Sequence, residues 1–106
     1  MEQFLRIAAG IFIGGLLPGM AAAQLDLARS NGCLVCHSAE RKVIGPALRD
    51  VALRYAGKPD AEDALGSNIL RGRVGRWSAA PMPPNPGVSE ADARQLARWI
   101  LALPPS

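Results

Sequence analysis

The sequence predicts an all-α domain, and three observations carry that expectation. Leu48, Val51, Ala52 and Tyr55 recur at i, i+3, i+4 and i+7, the spacing of one helix face. No run of alternating β-branched residues supplies a sheet. The third observation is Cys33-Leu34-Val35-Cys36-His37, which reads C-x-x-C-H, the signal for covalent attachment of a c-type haem. Residues three and four apart share a face of a helical turn. Both thiols and the imidazole therefore face one porphyrin, the thiols to add to its vinyl groups and the imidazole to bind its iron.

Other uses of two cysteines fit less well. A redox C-x-x-C opens a helix after a strand in a βαβ pattern, and that pattern is missing. A zinc site takes about four N or S ligands. Cys33, Cys36 and His37 are the only cysteines and the only histidine in the chain. A disulfide would stitch a single turn and leave His37 without a purpose.

The amino-terminal residues have the pattern of a secretory signal peptide. Arg6 and the amino terminus give a weakly basic start, diluted by Glu2, and Ile7 to Leu17 form an apolar core broken only by glycines. Ala21-Ala22-Ala23 offers a small-residue cleavage site. Cleavage after Ala23 leaves residues 24–106 as one domain. The rival, a retained anchor, has only the uncharged run from Ile7 to Ala23, at the lower limit for spanning a bilayer and interrupted by glycines and Pro18. Export suits the haem reading, because c-type haem is joined to its protein outside the bacterial cytoplasmic membrane.

A domain this small buries only about 60% of its extended-chain surface, so a large apolar cofactor is a welcome core. The whole chain has 12 basic and 9 acidic side chains, a formal charge of +3. Loss of Arg6 with Glu2 leaves that balance unchanged. So mild an excess argues against nucleic acid as the partner.

Helix signals dominate the remainder. Leu25 to Asn31 reads as a first helix, stopped by Gly32. Pro46 stands at or before the start of the helix bearing Leu48 and Val51, which Gly57 ends. Asp60 reads as the N-cap of a third helix to about Arg71, with Ala61, Leu65 and Ile69 inward and Gly66 weakening its middle. Ser89, with Asp92 three residues on, resembles a capping box for the last helix. Leu96, Trp99, Ile100 and Leu103 form its apolar face, expected to pack on the first helix and the haem edge, and Pro104 closes it.

Between Gly72 and Val88 lies a loop containing Pro81-Met82-Pro83-Pro84-Asn85-Pro86. Its prolines rule out a helix and favour a stiff, extended path. Met1 and Met20 depart with the leader, so Met82 is the only thioether left to an iron held from one side by His37. A His/Met pair commonly ligates haem in electron-transfer proteins and raises the potential. A metal-bound imidazole gives its second N–H to a carbonyl or carboxylate; the Gly45-Pro46 turn offers one, and a plain turn accounts for the same residues equally. Trp77 is open in the same way, since either a haem propionate or simple packing satisfies its ring.

Together Gly32-Cys33…Cys36-His37, Val43-Ile44-Gly45-Pro46-Ala47, Asp50-Val51-Ala52, Trp77…Pro81-Met82-Pro83-Pro84-Asn85 and Leu96-Ala97-Arg98-Trp99 closely resemble the small class I bacterial cytochromes c, most of all the cytochrome c-551 family. The resemblance spans essentially the whole mature chain. It implies about four short helices around one haem c attached through Cys33 and Cys36. It makes His37 and Met82 the axial ligands, the Pro46 carbonyl the acceptor for His37, Trp77 a propionate donor, and Asn85 a hydrogen-bonding side chain near the methionine sulfur. The implied function is single-electron transfer in the periplasm, without catalysis, between an electron donor and a terminal reductase or oxidase. Docking to these redox proteins would be weak and transient, with no stable membrane insertion after leader cleavage. A haem enzyme or gas-binding protein with a displaceable sixth ligand is the rival; a docked subunit of a larger oxidoreductase is a third possibility.

Two departures stand out. Relatives usually carry an aromatic residue in the first helix, where this chain has Leu27 or Ala28. Asn68 aligns where many have an arginine facing a propionate, with Arg71, Arg73 and Arg76 as compensating cations or a solvated face.

Overall fold

The structure is a computed structural model, and it describes residues 18–75, 77 and 80–104. The apolar leader core and Arg76 lie outside the described residues. Among the described residues there are five helices: α1 (Pro18–Ser30), α2 (Cys33–Cys36), α3 (Leu48–Tyr55), α4 (Ala61–Arg71) and α5 (Glu90–Leu101). No strand is formed among the described residues; the only β pairings are isolated bridges, His37 with Lys42 and Arg73 with Met82. The all-α expectation holds.

Helix α5 is the centre of the core, and α1, α3 and α4 all pack on it. Its period places Ala93, Leu96, Ala97, Trp99 and Ile100 inward. They meet Ala28 of α1, Leu48, Val51 and Ala52 of α3, and Leu65 and Ile69 of α4. Leu103, the last residue of the expected apolar face, lies just past the helix and is half-buried against the same core. Ser89 caps α5 as its sequence implies, its Oγ accepting from the Asp92 N–H at 3.1 Å.

Three helix details differ from the sequence reading. Helix α1 is already formed at Pro18, ahead of the expected Leu25, because Ala21–Ala23 favour the helix strongly. It ends at Ser30; Asn31 folds back, its Nδ2 donating to the Leu27 carbonyl at 2.9 Å. Asp60 stands before α4 but its side chain makes no capping bond. The Ala64 N–H instead takes the Asp60 main-chain carbonyl at 2.9 Å, so α4 owes its start to its buried stripe. Gly66 does not interrupt it and lies buried beside Ala93.

Polar contacts also join residues far apart in sequence. Gln24 of α1 donates through Nε2 to Gln95 Oε1 of α5 at 3.0 Å. Arg49 of α3 reaches the Pro104 carbonyl with Nη1 at 2.6 Å and Glu40 with Nη2 at 3.0 Å. Glu40 is largely exposed, so its ion pair is screened and contributes little. Arg49→Ala is expected to cost about 1 kcal/mol, mostly through the Pro104 contact. Urea unfolding of Arg49→Ala beside Glu40→Gln checks this: the second variant should lose clearly less.

Candidate haem site

The C-x-x-C-H motif forms the single turn α2 and the extended residue after it. The His37 N–H closes the turn on the Cys33 carbonyl at 2.9 Å. The following loop folds straight back, because the Cys36 carbonyl accepts from both Ile44 N–H (3.1 Å) and Gly45 N–H (2.7 Å). This return places the Pro46 carbonyl 2.8 Å from His37 Nδ1. A carbonyl only accepts, so Nδ1 carries the proton and Nε2 keeps its lone pair for a metal. Burial pushes the Cys33 thiol above its usual pKa, with the neighbouring Cys36 adding to the rise.

Sequence reasoning missed Gly45 as a functional position. A Cβ there would lie 2.6 Å from His37 Cε1, 2.9 Å from Nδ1 and 3.0 Å from Nε2. The imidazole lies flat against this stretch of chain, and only a residue without a side chain leaves room for it. The signal was a glycine directly before Pro46.

The Met82 loop is fastened to the end of α4. Met82 and Arg73 exchange both main-chain bonds, at 2.8 and 3.0 Å. The Asn85 N–H takes the Leu70 carbonyl at 3.2 Å and its Nδ2 takes the Ile69 carbonyl at 2.9 Å. Asn85 thus satisfies carbonyls that the last turn of a helix leaves open. The resemblance implied a side chain bonded near the methionine sulfur; here the amide is directed to main-chain oxygens, the Pro83 carbonyl at 3.5 Å being the second. Gly72, at φ 80°, lets the chains approach this closely, since a Cβ would strike the Met82 carbonyl and come within 3.0 Å of Pro83 and Pro84.

His37 and Met82 line one open cleft, together with Cys36. Its walls come from α3, α4, α5 and the proline loop, and Leu48, Val51, Leu65, Ile69 and Ile100 make them largely apolar. Cys33 is half-buried against the same core. Trp77 is half-buried on the cleft and also packed on the core, with the Arg54 guanidinium 4.6 Å from its ring centre. An apolar cleft lined by the Cys36 thiol, a free imidazole nitrogen and a thioether, with Cys33 one helical turn before Cys36, has the donor set and the lining that a covalent haem requires. The residues present fit the group.

Comparison with known proteins agrees. The Cytochrome c family model matches residues 25–104. Cytochrome c-552 of Nitrosomonas europaea is 52% identical over 88 residues, covering 83% of this chain and 85% of the relative. Cytochrome c-552 of Hydrogenobacter thermophilus is 44% identical over 103 residues, 97% of this chain and 99% of that one. Among solved structures, wild-type N. europaea cytochrome c552 superposes with a TM-score of 0.74, covering 76% of this chain and 99% of that chain at 52% identity. The class 1 cytochrome MtoD of Sideroxydans lithotrophicus gives 0.66 at 31% identity, covering 76% and 91%.

The fold and the cleft are those of a small class I c-type cytochrome. This chain belongs to the cytochrome c family, carries one haem c through Cys33 and Cys36, and is an electron carrier of the c-551/c-552 kind.

Proposed function

We propose that the protein is a periplasmic single-electron carrier with His37 and Met82 as axial ligands, and that residues 1–23 are a cleaved signal peptide. The observation that carries the ligand assignment is the pair of clamps on one cleft: the Pro46 carbonyl orients His37, and the main-chain bonds to Arg73 hold the Met82 segment. The bound haem supplies the one-electron chemistry. The protein keeps the imidazole in one tautomer, presents a soft sulfur from a stiff loop, and excludes water with aliphatic walls. Thioether ligation and an apolar surround both favour a high potential. Trp77 and Asn85 act as supports, the first on the cleft wall and the second in the loop. No described helix is long and apolar enough to cross a membrane.

Redox partners, an electron donor and a terminal reductase or oxidase, would meet the cleft mouth. Ile44 lines the cleft and is 51% exposed, and Val35 (70%) and Val74 (75%) stand out beside Cys36 and Gly75. So small an apolar surface suits a weak encounter.

The protein purified from the periplasm should have the mass of the chain from Gln24 plus one haem. In its reduced state it should be indifferent to carbon monoxide. Rapid carbon monoxide binding by the native protein would favour the gas-binding or enzyme class, and a mass including residues 1–23 would restore the anchor.

A further inference from the structure

Arg73 is the only Asp, Glu, Lys or Arg among the described residues that line the haem cleft. It is half-buried. Other arginines have partners elsewhere: Arg29 pairs with Asp26, Arg49 with Glu40, and Arg94 and Arg98 with Glu62. Arg54 lies over Trp77. Among the described residues Arg73 has no ion pair with a carboxylate. Its Nη1 instead donates to Asn68 Oδ1 at 3.3 Å, and Asn68 Nδ2 donates onward to the Tyr55 hydroxyl at 3.4 Å. All three side chains belong to the cleft wall. A half-buried cation without a counter-charge is costly, and a haem brings two carboxylates. Arg73 is also the residue whose main chain is doubly bonded to Met82.

We propose that Arg73, steered by Asn68, supplies the cation for a haem carboxylate and joins that contact to the loop that presents Met82. The inference rests on the cleft holding haem with Met82 on the iron. It assigns that role to Arg73 and not to Arg71. Arg71 is exposed, donates to Ser67, and lines a separate groove with Glu62, Asp63 and Glu90. A positive charge near the iron favours the reduced form, which carries one positive charge fewer.

The test is the equilibrium with a reference carrier of fixed potential, at constant pH and low salt, for Arg73→Gln, Arg73→Lys, Asn68→Leu and Arg71→Gln. Arg73→Gln should move that equilibrium about tenfold toward the oxidised protein. Arg73→Lys should recover part of the shift. Asn68→Leu keeps the charge but frees the guanidinium, so its shift should be smaller. Arg71→Gln removes an equal charge and should move it less than about twofold, because an exposed charge is screened. Imidazole should also displace Met82 faster in Arg73→Gln than in Arg71→Gln. Equal shifts in the two Gln variants, or none, with the iron–thioether absorption retained would overturn the proposal. Absence of that absorption in the wild type would instead remove Met82 from the iron, and with it the link to the loop.

Discussion

Met82→Ala is expected to leave the haem attached, since Cys33 and Cys36 are untouched, and to lower its potential by on the order of 100–300 mV. That is a substantial part of the roughly 0.8 V that axial ligation spans. The thioether favours the ferrous state, and its loss leaves a water molecule or an open position on the iron. The loop should keep its course, because its anchors are the main-chain bonds to Arg73 and the Asn85 contacts with Ile69 and Leu70. The variant should therefore unfold cooperatively while binding carbon monoxide readily. Potentiometric titration with carbon monoxide difference spectra checks both halves. An unchanged potential would show that Met82 is not a ligand.

Gly45→Ala should destabilise the protein strongly through a single added methyl group. The new Cβ would fall 2.6 Å from His37 Cε1. A free side chain would swing aside, but this ring is held by the Pro46 carbonyl and, in the loaded protein, by the iron. The chain from Gly45 is itself fixed on the Cys36 carbonyl, so neither partner yields cheaply. Overpacking of this kind costs about 1–3 kcal/mol, and we expect the upper part of that range. The lost stability should appear in thermal unfolding of the oxidised protein, together with a weakened ligand field from His37. A variant as stable as the wild type would mean that the ring does not rest on Gly45 in the loaded protein.

Much of this was legible in the chain because its causes are local. The C-x-x-C-H spacing is a property of one turn, and the Ser89 cap and the apolar stripe of α5 depend on residues within a few positions of one another. The rigidity of the Met82 loop follows from its prolines. Less visible were contacts between distant residues. Nothing local says that Arg49 meets Pro104, that Asn85 caps the last turn of α4, or that Gly45 is a shelf for an imidazole eight residues earlier. The first helix was placed too short because Ala21–Ala23 reads both as a cleavage site and as a strong helix former; the structure of the uncleaved chain expresses the second property. Asp60 had the right type for a cap but not the geometry. Telling Arg73 from Arg71 required three dimensions, since the two are indistinguishable by composition and lie against different clefts.

The account stands on His37 and Met82 holding one iron between them. The near-infrared absorption of the oxidised, purified protein tests this most directly. We expect the weak band of iron–thioether charge transfer in the wild type and its loss in Met82→Ala. A wild-type spectrum without that band, or one of high-spin ferric haem, would contradict the account.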